Sequence, residues 1–225
     1  MSKRTNRAGP LDPSPPVPLP VYEHNGQLVA DSRDVAAMLG RSHWTIMRTI
    51  RTMGKHLGDH NFVVSDYFIE AVYISEQSKE QPCYYCTEKG CDLIAHKQTG
   101  EQGTIFTARY VEAFHAMRAE LARRRELRAV GKPIRRGLTD ALRDSGEVER
   151  MKGHAYSAYT DLAYRLATGK SARQLRQERG AARAVDILTA VELEAYQRKE
   201  AAITVLLDAG MVYDNIKAAL VEGGR

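Results

Sequence analysis

No stretch of this chain approaches the roughly 18 consecutive apolar residues that a membrane span needs, and no charged-then-apolar leader opens it. A cytoplasmic protein is the expectation. Cysteine is scarce, three in 225 residues, and an odd number argues against a disulfide framework. The signatures of common enzymes are missing too. There is no glycine-rich phosphate loop, no His-Glu-x2-His series and no serine in a Gly-x-Ser-x-Gly elbow. Glu147 with Glu149, and Glu192 with Glu194, stand two apart, a spacing that points side chains away from each other on a helix. Both pairs read as solvated faces. The seven histidines are scattered, and His115 and His154 stand alone on helical stretches. The chain reads as a non-enzyme, with no catalytic constellation and no cofactor.

An apolar fraction of 43% suffices for packed cores, and the length suits one or two domains of roughly 100–200 residues each. The net charge of +5 fits an anionic partner but is mild, so its distribution says more. Basic residues gather at 41–55 and again at 118–136. In the second cluster Arg118, Arg123, Arg124, Arg125, Arg128, Lys132, Arg135 and Arg136 are met only by Glu120 and Glu126. Cys83, Cys86, Cys91 and His96 form a Cys-x2-Cys-x4-Cys-x4-His series, a spacing to weigh as a zinc site. On a regular strand Cys83 and Cys86 point to opposite faces, and Cys91 enters a helix, so one ion would need a break in the strand. Small buried thiols are the commoner explanation, and no metal is assigned.

The densest information lies at 31–55. Ser32 is placed to cap a short helix whose apolar positions Val35, Met38 and Leu39 follow helical spacing, and Gly40 to end it. Ser42 then caps a second helix over 42–55. At about 100° per residue, Ile46, Ile50 and Met53 share one side, and Trp44, Arg48, Arg51 and Lys55 the other. Thr45 and Thr52 flank the basic stripe, and no acidic residue occurs between Gly40 and Gly58. A helix-turn-helix places such a helix in the major groove. The alternative is a cationic face that is merely solvated. For double-stranded DNA the candidate contacts are Arg41, Ser42, His43, Trp44, Thr45, Arg48, Arg51, Thr52 and Lys55. His43 lies at the edge of the apolar face, so packing competes there with phosphate contact.

Around this pair, residues 1–20 read as a basic, proline-rich tail that is extended or disordered. Asn25-Gly26 between apolar runs signals a hairpin. Residues 61–64 read as a strand, 67–74 as a further strand, 75–81 as a polar loop and 82–87 as its return. That last hairpin makes a wing, with Lys79 at its tip for phosphate or minor groove. Thr87 caps a helix over 88–97, and a long helix follows over about 104–128 with Tyr110, Phe114, Met117 and Leu121 as its stripe. Residues 123–136 form either a continuous helix or a linker broken at Gly131-Lys132-Pro133. Helical patterns cover 134–144, 148–167, 172–179, 189–209 and 212–221, with a capping box at Thr189 and Glu192. The expected class is α+β: a winged helix-turn-helix-like module over 21–128, then an all-α domain over 133–225. Leu162, Leu166, Leu188, Val205, Leu206 and Leu207 exceed what short helices cover individually, which predicts a homodimer or higher even-numbered oligomer.

Residues 31–40, followed by His43 and the run from Arg48 to Arg51, resemble the opening of the phage regulatory protein Rha family. The run from Tyr85 to Ile94, then Thr99-Gly100 and the run from Tyr110 to Met117, resembles its later half. Order and spacing match over about 21–117, with departures at Trp44, Cys86 and Cys91. The resemblance implies a prophage-encoded regulator in a bacterial host, with a winged helix-turn-helix-like module. Residues 138–220, with Tyr213-Asp214-Asn215-Ile216, are similar in pattern to C-terminal domains of phage antirepressors, which mediate assembly or capture another protein. Two functions stay open: a DNA-binding transcriptional regulator, and an antirepressor that binds and inactivates a phage repressor.

Overall fold

The computed structural model describes residues 19–222. The proline-rich run up to residue 18 lies outside the described residues. Leu19, which the sequence pattern assigns to that tail, is buried in the first core. The chain divides into two compact units between Met117 and Arg118. The class is α+β, a small antiparallel sheet with helices followed by a helical unit.

In the first unit, β1 (Tyr22–His24) and β2 (Gln27–Asp31) are joined through Asn25 and Gly26, both at positive φ as a two-residue hairpin turn requires. β2 runs directly into α1 (Ser32–Met38). Arg41 N–H donates to Ala36 O (2.9 Å) and Gly40 N–H to Ala37 O (3.1 Å), closing that helix. Gly40 sits at φ 60°, which glycine adopts without Cβ strain. α2 (His43–Asp59) follows at once. A 3-10 turn (Val64–Asp66) leads to β3 (Phe68–Ile74) and β4 (Glu80–Thr87), then α3 (Glu88–His96) and α4 (Gly100–Asp144). The sheet order is β1-β2-β4-β3, all antiparallel. Val35, Leu39, Ile46, Ile50, Phe68, Cys86, Ile94 and Phe114 make its core. Gly90 in α3 lies so close to β3's entry that a Cβ would stand 2.2 Å from Tyr67 O.

One junction fixes α2 against the hairpin. Asp31, not Ser32, caps α1, its Oδ1 accepting from Arg33 N–H (2.8 Å). The same carboxylate holds the Arg33 guanidinium at 3.0 and 2.7 Å, and that guanidinium lies 4.1 Å over the Tyr73 ring of β3. Ser32 is thereby freed for another task. Its buried hydroxyl accepts from Tyr84 N–H of β4 (3.0 Å) and lies 3.0 Å from His43 Nε2 at the start of α2.

Elsewhere the expected elements shift. Residues 61–64 are not a strand. α2 continues to Asp59, and Asn61 at φ 61° closes it with Phe62 N–H donating to Leu57 O (2.9 Å). An αL asparagine after a helix and the β-rich Phe-Val-Val that follows give conflicting local signals, and the cap wins. α4 is continuous from Gly100 through Pro133 to Asp144, so the broken-linker alternative over 123–136 is overturned.

In the second unit α5 (Glu147–Arg150), α6 (Ala155–Thr168), α7 (Ala172–Arg179), α8 (Ala190–Asp208) and α9 (Tyr213–Glu222) follow the end of α4. The expected single helix over 148–167 is split where Lys152 and Gly153 take φ 50° and 82°. Leu162, Leu188 and Leu207 are buried in this unit's own core and Leu166 and Leu206 pack against it, so most of the apolar excess that suggested an oligomer is covered within the unit. Val205 stays exposed.

The solvated-face reading holds for the exposed Glu149 but is overturned for Glu147, Glu192 and Glu194. Glu147 is 2% exposed and accepts from Tyr159 Oη (2.7 Å), Tyr213 N (3.3 Å) and the Arg150 guanidinium (2.8 Å), tying α5, α6 and α9 together. Glu192 completes the Thr189 capping box and pairs with Arg179 across 2.6 Å. The i, i+2 spacing governs how the two acids face each other and says nothing of third partners.

Two outcomes follow. Replacing Ser32 by alanine strands the part-buried Tyr84 N–H, at a cost of about 1 kcal/mol that lowers the denaturation midpoint read by Trp44 fluorescence. An unchanged midpoint would show the junction to be dispensable. In the second unit the Arg150 hydrogen bond is the main reason the Glu147 carboxyl is held down from 4.5 to about 2. A depressed carboxylate stabilises the fold above its unfolded pKa, and that contribution is lost as pH falls from 4.5 toward 2. E147Q should therefore lower stability at neutral pH and flatten the acid limb in that window, followed by urea unfolding with circular dichroism. A parent-like acid limb would contradict this.

Candidate nucleic-acid interface

α2 is amphipathic because its apolar residues recur at helical spacing. Ile46, Met47, Ile50 and Met53 are buried, while Trp44, Arg48, Arg51, Thr52 and Lys55 are exposed on the outer face. Trp44 is 64% exposed, an unusual position for the chain's single tryptophan. The Arg48 guanidinium lies 4.7 Å over its ring, a cation–π contact that holds both side chains at the front of the helix. Ser42 is the cap: its Oγ accepts from Thr45 N–H (3.3 Å) and lies 2.8 Å from Thr45 Oγ1. Thr52 Oγ1 donates back to Arg48 O (3.0 Å). Both threonines therefore have a local partner for their hydroxyls. The first turn of α2 carries no acid, and Arg41 precedes it, so the partial positive charge of the helix N-terminus is reinforced.

His43 stands apart from this face. It is half-buried, bonded to Ser32, and meets the Tyr73 ring edge-on at 6.0 Å. Burial, partly opposed by Asp31, lowers its pKa, so the ring is neutral at neutral pH. Its geometry is that of a packing residue. Lys79 is exposed on another element, in the turn of the β3–β4 hairpin, where Ser75 N–H donates to Lys79 O (2.8 Å) and Lys79 N–H to Ser75 Oγ (3.3 Å).

Between α2 and the hairpin runs a groove of about 550 Å³, lined by Arg51, Lys55, Ser65, Glu70 and Tyr84 among others. A neighbouring depression carries it past Met47, Val72 and Pro82. Glu70 is thus the acidic neighbour of a helix face that has none of its own. It is absent from the residues the sequence singles out, although its exposed register on β3, between Ile69 and Ala71, follows from strand alternation. Cys83 lines the neighbouring depression. Cys86 and Cys91 are fully buried in the core, and burial pushes the thiols of all three upward. Among the described residues no three metal-ligating side chains gather, and no helix is long and apolar enough to cross a membrane.

Known proteins match part of the chain. The chain is 38% identical over 109 residues to the SPbeta prophage-derived candidate antirepressor protein YoqD of Bacillus subtilis, covering 48% of this chain and 43% of that protein. It is 27% identical over 95 residues to an uncharacterized protein of Haemophilus influenzae, covering 42% of this chain and 54% of the relative. The chain thus spans about half the length of the curated relatives it matches. Residues 30–119, from the end of β2 into α4, match the family described as phage regulatory protein Rha.

Proposed function

We propose that this chain is a phage transcriptional regulator whose first unit binds double-stranded DNA as a winged helix-turn-helix. In this reading α2 enters the major groove and the β3–β4 hairpin is the wing. The observation that carries it is the division of α2: a fully packed apolar back, and a front of Trp44, Arg48, Arg51 and Lys55 with no acid between Gly40 and Gly58. Arg48 and Arg51 are placed for base edges or phosphates, Lys55 for phosphate, and Trp44 for a sugar or a thymine methyl. Lys79 on the wing adds a phosphate contact. His43 orients α2 rather than touching DNA. No step requires a cofactor, and the work is done in the cytoplasm of the bacterial host. Two-fold pairing of the chain would match two half-sites on an operator.

The antirepressor function is the second reading, favoured by the description of the Bacillus relative. There the second unit would hold a phage repressor through protein contacts, and α2 would be secondary.

Selection of duplexes from a random pool by the full chain provides the test. The parent should enrich a defined site, and R48A/R51A should lose the preference while keeping the parent's circular dichroism, because both side chains face solvent. Without its bidentate pairing to guanine, each arginine position forfeits about 1–3 kcal/mol of discrimination. If the double variant enriches the same site as the parent, α2 is not the reading element. Tight capture of a phage repressor that persists at high salt, with no duplex enriched, would instead establish the antirepressor.

A further inference from the structure

The basic cluster at 118–136 is sorted by the fold into two sets. Arg123 pairs with Glu194 and Arg128 with Asp186, Arg124 donates to Asp186 O, and Arg135 bridges Glu200 and Thr160. These four hold α4 to α6, α8 and the turn before α8, and their charges are largely answered within the unit. Arg125, Lys132 and Arg136 are different. All three are exposed and have no hydrogen bond or ion pair with a described residue.

Their spacing puts them together. Steps of seven and four residues along a continuous helix bring the three within about 40° of one another, over about 16 Å of axis. Ala129 lies between them, so nothing bulky or acidic interrupts the strip. Asp140, one turn beyond Arg136 and paired with Arg143, bounds the strip at its far end, and Glu126 lies about 100° round the helix from Arg125. An uninterrupted strip of cations on a rigid helix complements the regularly spaced phosphates of a duplex, which attract charge without reading sequence.

We propose that Arg125, Lys132 and Arg136 of α4 form a second, sequence-independent contact with the phosphates of duplex DNA, outside the helix-turn-helix. The inference rests on the DNA-binding reading, which supplies the ligand. Its consequence is a division of labour, in which α2 sets which site is bound and the α4 strip adds affinity to every duplex alike. The internally paired arginines of the same cluster add nothing to this contact.

The test measures binding of the full chain to a random-sequence duplex of about three helical turns across a salt series. Each neutralised phosphate adds about 0.9 to the slope of log affinity against log salt. R125Q/K132Q/R136Q should lower that slope by nearly three, so that a four-fold rise in salt costs the variant about forty-fold less affinity than it costs the parent. The variant should still enrich the same site as the parent. A control, R173Q/R176Q/K217Q, removes equal charge from other exposed positions of the second unit and should leave the slope nearly unchanged.

A parent-like slope in the α4 variant, with R48A/R51A still losing its site preference, overturns the strip and leaves the DNA-binding reading standing. An equal fall in slope in the control shows that net charge matters rather than α4, and also overturns it. Failure of the parent to bind any duplex removes both.

Discussion

The hydroxyl of Ser32 is the contact on which the first unit's geometry turns. It is fully buried at the point where β2 becomes α1, and it meets the β4 backbone and the first residue of α2 at once. A buried polar group without partners costs free energy, so these three elements are held in the one arrangement that satisfies it. Asp31 and Arg33 extend the constraint to β3 through Tyr73. The angle between α2 and the hairpin, and hence the groove between them, is set by this polar junction together with the apolar back of α2. Hydrophobic packing alone would tolerate small slips of the helix. Directional hydrogen bonds do not.

This explains why the exposed front of α2 carries so little structural duty. Arg48, Arg51 and Lys55 make no ion pair among the described residues, and the only partner the structure gives Arg48's guanidinium is the Trp44 ring. Stability comes from the back and from the N-terminal junction, which leaves the front free to be chosen for a ligand. The long side chains there are costly to order alone. Stacking Arg48 on Trp44 settles part of that entropy before any partner arrives.

Much of this could be read from the sequence because the signals were local. The Asn25-Gly26 turn, Gly40, the Ser42 and Thr87 caps and the Thr189 capping box each depend on residues within one turn of one another. The face of α2 followed from its period alone. Most of what failed depended on partners far along the chain. Ser32 looked like a cap because nothing nearby reveals that Tyr84 needs its hydroxyl. Glu147 looked solvated because Tyr159 and Tyr213 lie in other helices. Residues 61–64 had β-rich composition, but the helix before them needed a left-handed closing residue, and Asn61 supplied it.

The continuity of α4 is the instructive case. Proline inside a helix removes one backbone donor and crowds the preceding turn, at a cost of about 3 kcal/mol. The helix persists because its flanks are held by independent packing. Leu127 packs against the second core and Leu138 and Leu142 lie within it, while Gln197 Nε2 donates to Leu127 O (2.8 Å) nearly two turns before the proline. Pro133 itself faces solvent, where its ring displaces no core side chain. The same continuity decides the electrostatics. A linker broken at 131–133 would let each cation of the cluster find its own solvated position. A continuous helix instead commits four of them to internal partners and fixes the phase of the others. The +5 net charge is therefore a poor measure of the field this unit presents, because what an anionic partner meets is set by which cations the helix leaves unanswered.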